Sequence, residues 1–382
     1  MSKWWVITLC LIVVALVEAA EVNPRSGLRD ETQAYGFAFL GDLHFDRLEH
    51  HDMAWVKTSH PGDIRQIENY SDITKRNSPA LLKAVSNALE NQKIAPFAII
   101  QVGDFVEGLC GNYDLQVSQF NEAIAFVTPY AGSIPFLITK GNHDITGPGA
   151  SRAYSDVIVP WLGAQVDAPI RGTSYTIKHA NDLFVFFDAY KPDLDWLEKV
   201  LIQNPARQVF FIVHEPVVPY NARAQWYVFS RDKERPQREK LISLLGEYHA
   251  IVLCGHLHRY SVVRRITENG FFVQLAMNSV VDRRAGDVKL LDGVDAYVPE
   301  LVDLEPKFDA KTKDARRELL SAEKPFVSYF EMANTSGYGL ITVSDKFIDV
   351  GVRLRSEQKT WRRLRIDPST LNITEENSTA SE

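Results

Sequence analysis

Polar residues that can ligate a metal ion or move a proton follow five short apolar segments of this 382-residue chain. They are Asp42-x-His44, Gly103-Asp104, Gly141-Asn142-His143-Asp144, His214 and Gly255-His256-x-His258. In Asp-x-His and His-x-His, the two side chains are separated by one residue and lie on one turn, so both can reach a single metal centre. Glycine lets the backbone turn sharply beside them. Nitrogen and oxygen ligands without thiolate suit iron, manganese or zinc, and the sequence does not choose among these metals.

None of these motifs is diagnostic alone, because a single histidine beside an apolar strand is more often structural than a ligand. Their shared placement is more specific, since each motif directly follows a segment with the pattern of a buried strand. In open α/β sheets, ligands bind outside the carboxyl ends of the strands. We therefore interpret the five loops as converging on one crevice that contains a metal centre.

The apolar and periodic segments of the chain predict an α/β fold. The segments that precede the motifs predict strands at 35–40, 97–102, 136–139, 209–213 and 251–254. Further strands are predicted at 174–178, 183–188, 271–275, 326–330, 339–343 and 347–354. Helical spacing of apolar residues predicts helices at 78–89, at 114–127 and around Trp196. This mixture predicts two sheets packed together with helices outside them.

Three segments lie outside this pattern. Residues 1–20 hold one lysine, an uncharged run and the small-residue site Val17-Glu18-Ala19, which predict a signal peptide over 1–19. The mature protein would be secreted or periplasmic and would have no membrane anchor. The alternative is that this segment is a transmembrane anchor, although its uncharged run is shorter than the roughly 20 residues that cross a bilayer. The charged segment 283–324 predicts an insertion in a domain spanning 34–355, either a solvated helix and loop or a cap beside the site. Residues 356–382 predict a polar, loosely attached tail.

The composition limits the partners of the protein. The chain is 45% hydrophobic with a formal net charge of -7, so it is globular and gives no electrostatic support for binding nucleic acid or an anionic membrane surface. A small phosphorylated substrate is compatible with that charge, because bound metal ions would dominate the local field. Cleavage would leave Cys110 and Cys254, which either pair or stay free. Glycosylation sequons begin at Asn69, Asn334, Asn372 and Asn377.

In their types and order, the five motifs resemble those of the calcineurin-like metallophosphoesterases, which include purple acid phosphatases and metal-dependent cyclic-nucleotide phosphodiesterases. The resemblance covers residues 35–354. It implies a four-layer fold, a two-sheet sandwich flanked by helices, with two metal ions. One ion would be held by Asp42, His44 and His258, and the other by Asn142, His214 and His256. Asp104 would bridge the two ions.

The resemblance also implies a mechanism. Two such ions lower the pKa of a water bound between them, and the resulting hydroxide attacks phosphorus in line with the leaving oxygen. His143 resembles the family's catalytic histidine and would protonate the leaving group as general acid, with Asp144 able to orient it or raise its pKa. Purple acid phosphatases carry a tyrosine ligand three residues after the bridging aspartate, and this chain has Glu107 there. We interpret Glu107 as a solvent-facing loop carboxylate; the alternative is an acceptor for a ligand histidine.

The sequence therefore predicts an exported, dinuclear-metal-dependent hydrolase that acts on a small phosphate ester. Monoester and diester hydrolysis both remain open, and the missing tyrosine favours the branch of the cyclic-nucleotide phosphodiesterases. The alternative is a non-catalytic metal-binding or scaffold module that retains the fold. Tyr220, Arg223 and Trp226 follow His214 on a predicted loop, where an arginine can hold a phosphate and an aromatic ring can stack on a base.

Overall fold

The computed structural model describes residues 34–166, 169–281, 288–306 and 310–376, so the predicted signal peptide lies outside it. The strands are β1 Tyr35–Leu40, β2 Pro96–Gln101, β3 Phe136–Ile138, β4 Tyr175–His179, β5 Asp182–Phe186, β6 Val209–Ile212, β7 Ile251–Cys254, β8 Tyr260–Thr267, β9 Gly270–Ala276, β10 Leu290–Asp292, β11 Val327–Ala333, β12 Gly337–Val343, β13 Ile348–Leu354, β14 Thr360–Ile366 and β15 Ile373–Glu375. The helices are α1 Met53–Ser59, α2 Ile64–Arg76, α3 Ser78–Glu90, α4 Tyr113–Ala131, α5 Ala150–Ala153, α6 Val159–Gln165, α7 Leu194–Gln203, α8 Arg235–Glu247 and α9 Lys313–Glu323.

Two mixed sheets form the centre of the fold. The first has the strand order β15-β14-β13-β12-β1-β2-β3, and the second has the order β10-β11-β8-β9-β7-β6-β5-β4. Their inner faces pack together through rings such as that of Phe37 in β1, whose centroid lies 5.6 Å from that of Phe184 and 5.4 Å from that of Phe210. Helix α3 packs on the first sheet, and α7 and α8 pack on the second. The predicted two-sheet sandwich flanked by helices is confirmed.

The strands that precede the motifs run parallel within each sheet. In the first sheet β1 pairs in parallel with β2 and β2 with β3, and in the second β6 pairs in parallel with β7. Because parallel strands direct their carboxyl ends to one edge, Asp42, Asp104 and Asn142 leave the first sheet together. The backbone N–H groups of Leu43 and His44 donate to the carbonyl oxygen of Asp104, at 3.1 and 2.9 Å, and tie the first two loops to each other.

The prediction of a loosely attached tail from residue 356 is wrong for residues 360–375, which form β14 and β15 and extend the first sheet. Leu364 and Ile366 are buried on one face of β14, with the period of two expected of a strand. Arg362 shares that face and is buried because its guanidinium binds the carboxylate of Glu331 in β11. A buried arginine hides the strand pattern in the sequence.

The described part of the charged insertion is packed rather than solvated. It adds β10 to the edge of the second sheet, next to β11, and its helix α9 contributes Leu320 to the core on the outer face of that sheet. Glu323 at the end of α9 is buried, and its carboxylate binds Arg238 of α8 at 2.6 Å and Arg265 of β8 at 2.9 Å. These contacts exclude the interpretation of the segment as a solvated helix and loop.

The cysteines and the glycosylation sequons differ in their exposure to solvent. Cys110 and Cys254 are both buried and free, so they do not pair. Asn69, Asn334 and Asn372 are exposed, and Asn377 lies beyond the described residues. Of the helices described, none combines the length and apolar character that a membrane span requires.

Candidate metal centre

The predicted ligands meet where the two sheet edges face each other, and they form two groups. One group is Asp42, His44 and His258, and the other is Asp104, His214 and His256. In each group, one ligand atom from every residue lies within 4.8 Å of the others. The side chains of Asp42, His44, Asp104 and His214 are almost completely buried, while the imidazoles of His256 and His258 reach the surface of the crevice.

The first group has a geometry that a cation fits. The Nε2 atoms of His44 and His258 face each other across 3.1 Å, and Nε2 of His258 also lies 2.9 Å from Asp42 Oδ2. That carboxylate oxygen is buried and accepts no hydrogen bond from the described residues. A buried oxygen that accepts no hydrogen bond needs an explanation, and a metal ion held between it and the two imidazole nitrogens would supply one.

The second group centres on His214. Its Nε2 lies 3.1 Å from each of three atoms, namely Asp104 Oδ2, Asn142 Oδ1 and His256 Nδ1. Asp104 Oδ2 also lies 3.6 Å from Nε2 of His44 in the first group. One carboxylate oxygen therefore stands between the two groups, at the place where the sequence predicts a bridge. Imidazole, amide oxygen and carboxylate are donors that suit a divalent transition metal.

Hydrogen bonds behind the centre orient its imidazoles. His214 Nδ1 lies 2.8 Å from the carbonyl oxygen of Val102, and His44 Nδ1 lies 2.8 Å from Glu107 Oε2. A carbonyl oxygen can only accept, so Nδ1 of His214 carries a proton, and Nε2 is the nitrogen that would offer a lone pair to a metal ion once the ring is neutral. The carboxyl oxygen of Glu107 places the proton of His44 on Nδ1 in the same way, although burial raises the pKa of Glu107 to about 8. Such partners fix the ring orientation and raise the basicity of a metal ligand.

The backbone at the centre adopts an unusual conformation. Four of the predicted ligands have left-handed backbone angles, with φ values of 46° at His44, 50° at Asp104, 68° at His256 and 52° at His258. This region is costly for residues other than glycine and is concentrated at functional sites. At Gly141, a Cβ atom would lie 2.1 Å from the backbone nitrogen of Asp104, so only glycine allows these two loops to approach so closely.

His143 lies at the centre, but Asp144 has a different place from the one predicted. His143 Nδ1 lies 2.9 Å from the carbonyl oxygen of Glu107 and 3.3 Å from its carboxylate oxygen Oε2. The two oxygens of Asp144 accept hydrogen bonds from the backbone N–H groups of Gly141, at 2.8 Å, and Val106, at 3.1 Å. Asp144 therefore holds two loops together, and Glu107 is the carboxylate that orients His143.

The interpretation of Glu107 as a solvent-facing carboxylate is wrong. Its side chain is fully buried, and besides the contacts with His44 and His143 it accepts a hydrogen bond of 2.8 Å from Nε2 of Gln66 in α2. The surrounding loop residues Phe105 and Val106 are apolar and buried, which is the signal in the sequence that this loop does not face solvent. The position that holds a tyrosine in purple acid phosphatases thus holds a carboxylate that contacts two imidazoles.

Burial and charge set the protonation of the histidines. Burial, together with the neighbouring charge of His143, lowers the pKa of His44, and burial likewise lowers that of His256, so both are neutral as metal ligation requires. Burial opposes a charge on His214, but Asp104 outweighs it and raises the pKa to about 10, so metal binding there must release a proton. Burial also opposes a charge on His143, but Glu107 and Asp104 raise its pKa to about 9.

Substitution of Glu107 tests its contact with His44. We expect the substitution Glu107→Gln to weaken metal binding about 10- to 100-fold, because the neutral amide no longer fixes the proton of His44 as strongly. The change should concern the ion that His44 is predicted to hold, and it is measured as metal retained per chain during titration with a chelator. Glu331→Gln is the matched control, since this carboxylate is equally buried but binds Arg362. Unchanged metal retention in Glu107→Gln would contradict this role.

Comparison with known proteins decides the family of this chain. A sequence model of the calcineurin-like phosphoesterases matches residues 35–260, a range that holds every predicted ligand. The chain belongs to the calcineurin-like phosphoesterase family. It is accordingly a metal-dependent phosphoesterase that acts on phosphorylated substrates. No curated protein matches the sequence of this phosphoesterase at a significant level.

Solved structures agree with this phosphoesterase in their fold. PhoD matches with a TM-score of 0.54 and 12% sequence identity over 92% of this chain and 73% of its own. The purple acid phosphatase PPD1 from seeds of yellow lupin, Lupinus luteus, matches with a TM-score of 0.51 and 12% identity over 88% of this chain and 54% of its own. At such identities the likeness concerns the fold alone, and it supports the two-sheet arrangement of the phosphoesterase.

Proposed function

We propose that this phosphoesterase hydrolyses small phosphate monoesters or diesters with a pair of metal ions that share Asp104. The observation that carries the proposal is the position of Asp104 Oδ2, 3.1 Å from Nε2 of His214 and 3.6 Å from Nε2 of His44. An anionic oxygen between two ligand groups can hold two cations while partly cancelling their repulsion. Iron, manganese and zinc all suit these donors.

The residues of the centre would divide between metal binding and proton transfer. Asp42, His44 and His258 would hold one ion, and Asn142, through its amide oxygen, would hold the other with His214 and His256. When bound, the ions would supply charge neutralisation at the phosphoryl oxygens and acidify the attacking water. His143 carries the proton that the leaving oxygen needs, and its pKa of about 9 keeps the ring protonated near neutral pH in the absence of bound cations.

Turnover of two chromogenic esters tests the proposal. The purified full chain is depleted of metal, loaded in turn with iron(II), manganese or zinc, and assayed with p-nitrophenyl phosphate and bis-p-nitrophenyl phosphate. We expect at least one metal to restore hydrolysis, and the preferred ester distinguishes phosphatase from phosphodiesterase activity. Absence of turnover of both esters with every metal, despite bound metal, would contradict the proposal and support a non-catalytic module that retains the fold.

Export is proposed from the sequence of residues 1–20, which have one lysine, an apolar run and a small-residue cleavage site. A secreted or periplasmic protein would lose residues 1–19 on export. Amino-terminal sequencing of the exported product should therefore begin at Ala20. A product in the membrane fraction that begins at Met1 would instead indicate an anchor.

A further inference from the structure

The loop that follows His214 carries an exposed tryptophan beside a predicted metal ligand. The ring centroid of Trp226 lies 5.6 Å from that of His256, with the two planes tilted by 56°. Trp226 is 38% exposed, whereas most large apolar side chains of the described structure are buried. The guanidinium carbon of Arg223 lies 5.8 Å from the same ring. An aromatic ring and a cation thus stand together at the edge of the centre that binds the phosphoryl group.

The charged insertion holds this loop in place by hydrogen bonds. The hydroxyl of Tyr297 donates to the carbonyl oxygen of Pro219 at 2.5 Å, and the guanidinium of Arg316 donates to that of Ala222. Tyr297 and Arg316 are both almost completely buried, so these bonds form away from competing water. Because both acceptors are backbone carbonyls, the bonds fix the path of the chain that leads to Trp226.

A second set of contacts joins the insertion to the arginines beside the centre. Glu305 accepts a hydrogen bond from Arg223 Nε at 3.0 Å and one from Arg259 Nη2 at 2.5 Å. Arg259 directly follows the predicted ligand His258 and also donates to its carbonyl oxygen, at 2.9 Å. One carboxylate of the insertion therefore links the loop of Trp226 to the loop of a metal ligand. These contacts tie the wall formed by Trp226 and Arg223 to the centre.

The chemistry of this wall indicates what it recognises. An indole ring offers a large apolar face on which any planar aromatic group can stack, and stacking on aromatic side chains is worth about 1–3 kcal/mol for a nucleobase. An alkyl group cannot stack in this way. Because Trp226 contacts His256, its ring flanks the position that a phosphate ester would occupy at the centre. A fixed ring also costs less conformational entropy on binding than a mobile one.

We propose that Trp226 is a specificity-determining residue that stacks on a planar aromatic ring of the leaving group, either that of an aryloxide or the base of a nucleoside, and that the insertion positions it. This inference rests on the proposed function, because it names the substrate class of the same centre. It gives Tyr297, Glu305 and Arg316 of the insertion a role as a brace for one wall of the site. Trp226 selects the ester, and the ligands and His143 act on it.

Binding of two phosphonates tests the inference without any need for hydrolysis. Phenylphosphonate and methylphosphonate share the phosphoryl group, resist cleavage at the P–C bond and differ only in the ring. The metal-loaded full chain is titrated with each by calorimetry. We expect the wild type to prefer phenylphosphonate about tenfold, and Trp226→Ala to lose that preference while binding methylphosphonate unchanged. Trp226→Phe keeps a ring and should keep most of the preference.

Two further variants separate stacking from general effects. Phe326→Ala is the matched control, because Phe326 is also exposed but packs on Arg265 rather than on a metal ligand, and it should leave the preference intact. Glu305→Gln should reduce the preference for phenylphosphonate and leave methylphosphonate binding unchanged, because the brace weakens but the centre stays. The latter variant tests the positioning role of the insertion.

The outcomes separate this inference from the proposed function. A tenfold preference that Trp226→Ala abolishes supports the inference even if neither chromogenic ester is hydrolysed. Equal or undetectable binding of the two phosphonates by the wild type overturns it, even if both esters are hydrolysed. Loss of both phosphonates together in Trp226→Ala would make Trp226 a structural residue and would also overturn it.

Discussion

Replacing Asp104 by asparagine should lower kcat by about 10⁴-fold, the largest effect of any single substitution proposed for this protein. The amide keeps the shape of the side chain and can still accept the hydrogen bond of 2.8 Å that the backbone N–H of His143 gives to Oδ1. It removes the negative charge that stands between the two ligand groups. The variant should therefore fold but hold only one ion, measured as metal per chain by mass spectrometry.

A second buried carboxylate provides the control for Asp104. Asp182 is as deeply buried, and it binds the guanidinium of Arg207 and the hydroxyl of Tyr35 rather than any predicted ligand. Asp182→Asn should lower the free energy of unfolding, because Arg207 loses its charged partner, but leave the metal content unchanged. Full metal content and turnover in Asp104→Asn would rule out the bridge.

Replacing His143 by alanine should lower kcat by about 10²- to 10⁴-fold while both ions stay bound. The ring is oriented by Glu107 and lies beside His44, with centroids 4.7 Å apart, but it belongs to neither of the two predicted ligand sets. As the proposed general acid it would deliver a proton to the leaving oxygen, and a good leaving group needs that proton least. The loss should therefore be larger for an alkyl phosphate than for p-nitrophenyl phosphate.

A histidine outside the centre provides the control for His143. His179 stacks on Phe97, with centroids 4.1 Å apart, and its replacement by glutamine should leave kcat unchanged for both esters. Loss of metal in His143→Ala would instead indicate that His143 is a metal ligand. This outcome has to be checked because His44, Asp104 and His143 form a third group of possible ligands. An equal loss for the good and the poor leaving group would contradict the acid role.

The positions of the predicted ligands follow from local sequence because each follows a strand directly. A short apolar run ending in glycine and a polar residue marks the strand end, and parallel pairing then brings β1, β2 and β3 to one edge. No long-range information is needed to expect Asp42, Asp104 and Asn142 at one site. The same holds for His214 and His256 after β6 and β7.

The roles of Glu107 and Asp144 depend instead on contacts between distant segments. Glu107 is buried and accepts a hydrogen bond from Gln66 of α2, which lies about forty residues earlier in the chain. Asp144 is next to His143 in sequence, but its carboxylate turns towards the backbone of Gly141 and Val106. Adjacency in sequence therefore suggested the wrong partner for His143, and only the packed loops show the right one.

The sequence does not predict the carboxyl-terminal strands β14 and β15, and the reason is electrostatic. In the sequence alone, the arginines of β14 indicate a segment exposed to solvent, because an isolated charge is costly to bury. Arg362 is nevertheless buried against Glu331, a residue of β11 that lies in the other sheet. This ion pair between the sheets cannot be seen from local periodicity.

Anomalous diffraction from crystals of the metal-loaded protein tests the central claim most directly. Data collected at the absorption edge of the bound metal locate each ion independently of activity. We expect two peaks, one next to Asp42, His44 and His258 and one next to Asn142, His214 and His256, with Asp104 contacting both. A single peak, or two peaks that do not share Asp104, would contradict the dinuclear centre proposed for this phosphoesterase.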